Sequence, residues 1–182
     1  FMSFSLCGLI YFFFLISCMT SKKFKIAFLG SDQIALPFLN FLLDECPFVE
    51  LSAVLTQPDR RSGRGRKLSP NAIKEWAQSK GISCRSPEKP TDSECVWLQD
   101  QEIDLILVMA YGHILKKSFL SLAPNGCFNL HASLLPFYRG ASPIESSVAM
   151  GDSFTGVTLM RVISKMDAGP IVDFEKVEIQ KE

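Results

Sequence analysis

The sequence predicts an α/β protein with a doubly wound, mostly parallel, Rossmann-like sheet, and three stretches carry that prediction. Residues 24–29 (FKIAFL) form a short β-rich run ending at Gly30, after which Ser31 or Asp32 can cap an amphipathic helix through Ile34, Phe38, Phe41 and Leu42. Residues 104–109 (DLILVM) are almost continuously apolar, as a central parallel strand covered on both faces must be. Residues 126–130 (GCFNL) read as a further buried strand that delivers Asn129 and His131 just where the chain turns into a loop. With 182 residues and a hydrophobic share of 47%, the chain suits one domain with a sizeable core.

The remaining elements follow in order. Pro37 falls in the first turns of the opening helix, where it sets a kink or a late start. Residues 49–55 are the second strand. Residues 71–80 read as a helix closed by Gly81, and residues 82–84 as a short strand. Pro87, Pro90 and Thr91 lead into another helix through Val96 and Leu98. After the central strand come Ala110, Tyr111, Gly112, His113, Ile114 and Leu115, at the carboxyl end where open α/β sheets bind ligands. Residues 142–150 predict a helix with Pro143 near its first turn, residues 155–162 a strand, residues 166–170 a tight turn, and residues 171–179 an edge or antiparallel strand. A lone Gly30 after the first strand excludes a dinucleotide fingerprint, whose glycines let the backbone approach a pyrophosphate.

The formal net charge is zero, so any basic surface is local. One such surface is plain: Arg60, Arg61, Arg64, Arg66 and Lys67 crowd a stretch interrupted by Ser62, Gly63 and Gly65. A mobile, strongly positive loop suits a phosphate backbone, although a solvated surface loop is the commoner explanation of a charge run. The six cysteines (Cys7, Cys18, Cys46, Cys84, Cys95, Cys127) show no CxxC pair and no metal spacing, so reduced core thiols and no metal site are expected.

The chemistry concentrates around His131. With the strand period of two, Asn129 and His131 point to the same side. An imidazole there can be a general acid or base, a charged partner for an oxyanion, or a hydrogen-bonded structural residue. The neighbouring carboxamide can donate to the same oxygen. Asp167, in the 166–170 turn, reads on local sequence alone as a turn former.

These residues resemble a known family. Asn129-Leu130-His131 followed by Ser133-Leu134-Leu135-Pro136 is similar to the signature of the folate-dependent formyltransferases, and Phe137-Tyr138-Arg139-Gly140 continues it. Thr155-Gly156-Val157-Thr158 with Asp167-Ala168-Gly169 resembles the segment that holds their catalytic aspartate. The 56–68 loop resembles the insertion that sets methionyl-tRNA formyltransferases apart, where the matching basic loop enters the acceptor arm of the initiator tRNA.

The resemblance, which spans residues 24–182, implies a formyltransferase fold with catalytic Asn129, His131 and Asp167. It implies a folate pocket at Ala110, Tyr111, Gly112, Ser133, Leu134, Leu135 and Pro136, and tRNA contacts from Arg60, Arg64, Arg66 and Lys67. Its co-substrate would be 10-formyltetrahydrofolate and its partner initiator methionyl-tRNA, in a cytoplasmic monomer of translation initiation with no metal and no stable membrane partner. His113 is expected to be a surface or packing histidine. Sister groups that formylate glycinamide ribonucleotide or amino-sugar nucleotides share Asn-x-His and Asp-x-Gly, and residues 166–171 (MDAGPI) lean towards the former. The basic loop favours tRNA over both, and a non-catalytic RNA-binding remnant is the reading from another class.

Family members continue through the rest of the catalytic domain to a C-terminal β-barrel, so residues 19–182 are expected to be a catalytic domain incomplete at its C-terminus. Residues 1–18 are expected to lie outside the fold: their apolar stretch is short for a membrane span and lacks a basic flank. Met19 would begin an ordinary cytosolic chain, which ranks an upstream extension of the reading frame ahead of an anchor or of the lipoprotein box suggested by Leu15-Ile16-Ser17-Cys18.

Overall fold

The computed structural model describes residues 23–62 and 67–180. The leader, Cys7, Cys18, Met19, Arg64 and Arg66 lie outside them.

A seven-stranded sheet organises the chain, in the order β5 (Ser83–Arg85), β2 (Val49–Leu55), β1 (Phe24–Gly30), β6 (Leu105–Met109), β7 (Cys127–His131), β8 (Phe154–Arg161) and β9 (Ile171–Glu178). The first five run parallel, and β8 and β9 add antiparallel to the β7 side. The helices α1 (Leu36–Glu45), α2 (Ala72–Ser79), α3 (Asp92–Asp100), α4 (Lys117–Leu120) and α5 (Pro143–Ala149) connect these strands.

Strand periodicity divides the core in two. From β1, Ile26 and Phe28 pack with Phe38, Leu39 and Leu42 of α1 and with Ile73 and Ala77 of α2. Ala27 and Leu29 face the other way, onto Cys95, Trp97 and Leu98 of α3 and Phe119 of α4. Both faces of β1 are therefore covered, which is why its sequence is apolar without alternation. Each fully buried Phe or Leu here stabilises the fold by roughly 1.5–3 kcal/mol.

Local chemistry sets the element ends. Asp32 caps a short 3₁₀ turn, Gln33–Ala35, its Oδ1 accepting from the Ile34 amide at 2.9 Å. Only then does α1 begin, at Leu36, with Pro37 in the first turn where no amide proton is needed. Of the two expectations for Pro37 the late start is what forms, and Ile34 stands half-exposed outside α1. Asn71 caps α2 by accepting from the Ile73 and Lys74 amides, and Thr91 and Glu94 close a capping box on α3. The single-turn α4 is held by the buried Phe119, too short a pattern to carry a periodic signal.

The flanks of the basic segment are strands, and residues 63–66 between them lie outside the described residues. The flanks form a hairpin, β3 (Arg60–Ser62) paired antiparallel with β4 (Lys67–Ser69). Cys46, Cys95 and Cys127 are buried, Cys84 is half-buried, and all are free. Burial pushes the Cys127 thiol up to about 12, which leaves it inert as a nucleophile. Among the described residues no helix is long and apolar enough to cross a membrane.

Candidate active site

The chain leaves β1 for β2 and β5 on one side and returns to β6 and β7 on the other, so the carboxyl ends of β1 and β6 part at a topological switch. Ser31 spans the gap, its amide and hydroxyl donating to the Ala110 carbonyl at 3.2 and 2.8 Å. A cleft of about 510 Å³ opens there, a size suited to a small organic ligand.

Asn129, Leu130 and His131 all line this cleft, and Leu130 also packs into the core. The half-buried Asn129 carboxamide has no side-chain partner among the described residues. His131 is buried, and its Nε2 lies 2.9 Å from the Tyr138 carbonyl oxygen. A carbonyl only accepts, so Nε2 carries a proton, and in the neutral ring the lone pair is on Nδ1. Nδ1 in turn lies 3.8 Å from Asp167 Oδ2, an ion-pair distance once both nitrogens are protonated.

Asp167 is placed by the turn between β8 and β9. Its Oδ2 accepts from the Gly140 amide at 2.9 Å, and its backbone holds a φ of +44°. Such a left-handed conformation costs a non-glycine residue roughly 1–3 kcal/mol, so the surroundings must enforce it. They do: the Arg161 amide donates to the Pro170 carbonyl at 2.9 Å, and a Cβ on Gly169 would stand 1.8 Å from the Arg161 carbonyl oxygen.

The residues assigned to folate divide into two groups. Ala110, Tyr111 and Gly112 line the cleft; Ser133, Leu134, Leu135 and Pro136 stand behind His131 and do not. Ser133 is fully buried, its hydroxyl donating to the Phe137 carbonyl at 2.7 Å and its carbonyl accepting from Thr158 at 2.6 Å. Thr158 Oγ1 also accepts from the Leu135 amide at 3.1 Å, which ties the loop to β8.

The 110–112 turn is tightly determined. Gly112 has a φ of +74°, and a Cβ there would come within 2.6 Å of Gln57 Nε2. That nitrogen donates to the Tyr111 carbonyl at 2.6 Å. The Tyr111 side chain is buried with its hydroxyl unpartnered, and burial pushes the phenol far above its usual range. His113 packs edge-on against it, ring centroids 5.1 Å apart, as the packing expectation required. The ring also lines the cleft, with a buried, unpartnered Nε2. Burial, and then the charges of Arg60 and Lys89, hold the His113 imidazole below its ordinary value. The local spacing of Gly112, His113 and Ile114 carries no sign of that placement.

Of the proposed tRNA contacts, Arg60 is exposed at the base of the hairpin and donates to Gln57 Oε1. Lys67 opens β4, and Arg64 and Arg66 fall outside the described residues. Among the described residues no three His, Cys, Asp or Glu side chains gather as they would around a metal ion.

The formyl transferase family matches residues 24–182 of this sequence. The chain belongs to that family. Among the curated relatives of this chain, the methionyl-tRNA formyltransferase of Thermotoga neapolitana is 39% identical over 156 residues, 85% of this chain and 49% of the relative. That of Nitratidesulfovibrio vulgaris is 44% identical over 155 residues, 84% of this chain and 46% of the relative. The chain thus spans about half the length of the curated relatives it matches. The phosphoribosylglycinamide formyltransferase of Bacillus halodurans superimposes with a TM-score of 0.69 at 24% identity, covering 88% of this chain and 82% of that one. A formyltetrahydrofolate deformylase of Pseudomonas syringae gives 0.68 at 18%, covering 98% and 62%. These likenesses show that the chain shares its overall fold with them.

Tyr138 and Gly140 hold His131 and Asp167, a role their place in the 137–140 segment does not reveal. Gln57 belongs with them, although a glutamine in a Thr-Gln-Pro-Asp run carries no chemical signal of its own.

Proposed function

We propose that this formyl transferase moves the formyl group of 10-formyltetrahydrofolate to the amino group of initiator methionyl-tRNA, as a cytoplasmic monomer serving translation initiation. The observation that carries the reading is the convergence of Asn129, His131 and Asp167 on one cleft wall, with the base of a basic hairpin hydrogen-bonded to the turn of the same cleft.

A folate fits what the cleft offers: a largely apolar lining with a few polar atoms, among them the buried, unpartnered Tyr111 hydroxyl and His113 Nε2. In the reaction the methionyl amine attacks the formyl carbon, the carbonyl oxygen becomes an oxyanion, and the bond from carbon to N10 breaks. The amine loses a proton and N10 gains one. Asn129, with both amide protons free, donates to the oxyanion, an effect typically worth roughly 3 kcal/mol of barrier. His131 spends its Nε2 proton on Tyr138, so a proton on Nδ1 is the one that can face the reacting centre. Asp167 supports the charged ring and accepts the amine proton, directly or through water, for return to N10. These residues need no metal for any step.

The test offers labelled 10-formyltetrahydrofolate with charged initiator tRNA, glycinamide ribonucleotide or an amino-sugar nucleotide in parallel. Label in the tRNA is expected. Label in a small amine instead would move the chain to a sister activity, the second reading, which its likeness to phosphoribosylglycinamide formyltransferases favours. No transfer from folded protein would leave the RNA-binding remnant.

A further inference from the structure

We infer that Gln57 is a positioning residue that couples the folate cleft to the basic hairpin, so that each ligand tightens the binding of the other. The inference rests on the functional reading above and goes beyond it.

Gln57 is 8% exposed, and its amide is spent at both ends. Nε2 donates to the Tyr111 carbonyl at 2.6 Å, and Oε1 accepts from Arg60 Nη2. The orientation is unambiguous, because a backbone carbonyl only accepts and a guanidinium only donates. Its own backbone is pinned: Asn71 Nδ2 donates to the Gln57 carbonyl at 3.0 Å while Asn71 Oδ1 caps α2. Asp59 adds a second tie, accepting from the Asn71 amide at 3.0 Å and from Lys74 Nζ at 2.8 Å. On the cleft side Gly112 has no Cβ, and a Cβ would collide with the Gln57 nitrogen.

The amide is thus a short rigid strut between the 110–112 turn and the first residue of β3. The Tyr111 end is buried, so an arrangement that turns Gln57 Nε2 away from that carbonyl strands a buried polar group, while the other end is held by the exposed Arg60 guanidinium. A donor seated against the turn holds the strut from one side, and a phosphate backbone holding Arg60 holds it from the other. Whichever ligand arrives first favours the arrangement the second requires, and the effect is reciprocal by linkage.

The experiment uses the full chain with tetrahydrofolate and deacylated initiator tRNA, which cannot react together. The dissociation constant of each is measured alone and with the other saturating. In the wild type each should tighten the other on the order of tenfold, by the same factor both ways. Gln57→Glu sets a second acceptor against the Tyr111 carbonyl, and Arg60→Ala, at an exposed residue, cuts the other end. In both, the factor should fall to about one, whereas a merely structural role would weaken each ligand without changing their ratio. A wild-type factor of one, or the wild-type factor kept in either variant, overturns the coupling and leaves the functional reading standing. Folded wild type that fails to bind either ligand overturns the functional reading and the coupling with it.

Discussion

The main-chain oxygen of Tyr138 lies 2.9 Å from Nε2 of His131, while the hydroxyl of the same tyrosine donates to Asp152 Oδ2 at 2.6 Å. Tyr138 holds a φ of +53°, so its backbone is in a costly conformation that the hydroxyl helps retain. Asp152 therefore acts on His131 through the tyrosine. Tyr138→Phe is expected to lower kcat by up to about a hundredfold, the cost of displacing a reacting group by roughly 1 Å. Tetrahydrofolate binding should be unchanged, and single-turnover rates beside equilibrium binding of the two proteins would show it. The hydrogen bond to Asp152 raises the phenol above its ordinary value. The latch is then complete below that ordinary value and is lost only as pH rises through the raised one.

Asn129→Ala removes a carboxamide that the protein itself leaves unpartnered. Stability should stay within about 0.5 kcal/mol, since no internal contact is lost. Turnover should fall about 10²–10³-fold, as for loss of an oxyanion donor. His131→Ala should abolish turnover yet leave tetrahydrofolate binding largely intact. Steady-state rates with equilibrium binding of tetrahydrofolate separate the two effects, and near-normal turnover of either variant would remove its residue from the mechanism.

Arg64 and Arg66, changed together to Ala, are expected to weaken tRNA binding and reduce the slope of log K against log salt by about two, one released counterion per lost phosphate contact. Filter binding across a salt series measures it. An unchanged slope would return the hairpin to an ordinary solvated surface.

The parts of this site that were legible in the sequence are those fixed by short-range periodicity. A period of two puts Asn129 and His131 on one side, and the uninterrupted apolar run of β6 announces a strand covered on both faces. Asp167 was invisible to local reasoning, which sees only an acid in a turn; its approach to His131 is made by the antiparallel pairing of His131 with Thr158 and by the turn that follows β8. The β3–β4 hairpin was hidden because Arg60, Arg61 and Lys67 mask any strand alternation. Ser133 was assigned to the folate pocket by its place in the family signature, whereas its buried hydroxyl donates to the Phe137 carbonyl. In each case a partner distant in sequence, or the sign of burial, decides what the residue does.

Asp59 gives the hairpin base an acid limit. The Lys74 side chain, and after it the Asn71 amide, hold the Asp59 carboxyl below its usual range. A lowered value means that the ionised form is favoured by folding, so the contribution is present above the ordinary carboxylate value of about 3.9 and is lost as pH falls through the lower, folded one. Asp59→Asn should therefore lower the Tm at neutral pH, and the two melting curves should converge as pH falls through the lowered, folded value. Parallel curves at every pH would show that Asp59 does not carry this linkage.

Gly169 ties the catalytic carboxylate to the sheet by close approach. Its added Cβ would meet the Arg161 carbonyl at 1.8 Å, and a backbone atom of β8 cannot swing aside as a side chain could. Gly169→Ala must therefore move the turn that carries Asp167 two residues earlier, opening the 3.8 Å separation from His131. A stability loss of about 1–3 kcal/mol is expected, as for overpacking elsewhere. The rate, measured well below the lowered Tm, should fall further than the folded fraction explains. Gly81→Ala is the control, because that glycine also needs its φ of +68° but has nothing within 4 Å of the added carbon. It should cost about 1 kcal/mol of backbone strain and leave kcat as it is. If Gly169→Ala behaves like Gly81→Ala, the close approach to Arg161 is not what aims Asp167 at the imidazole.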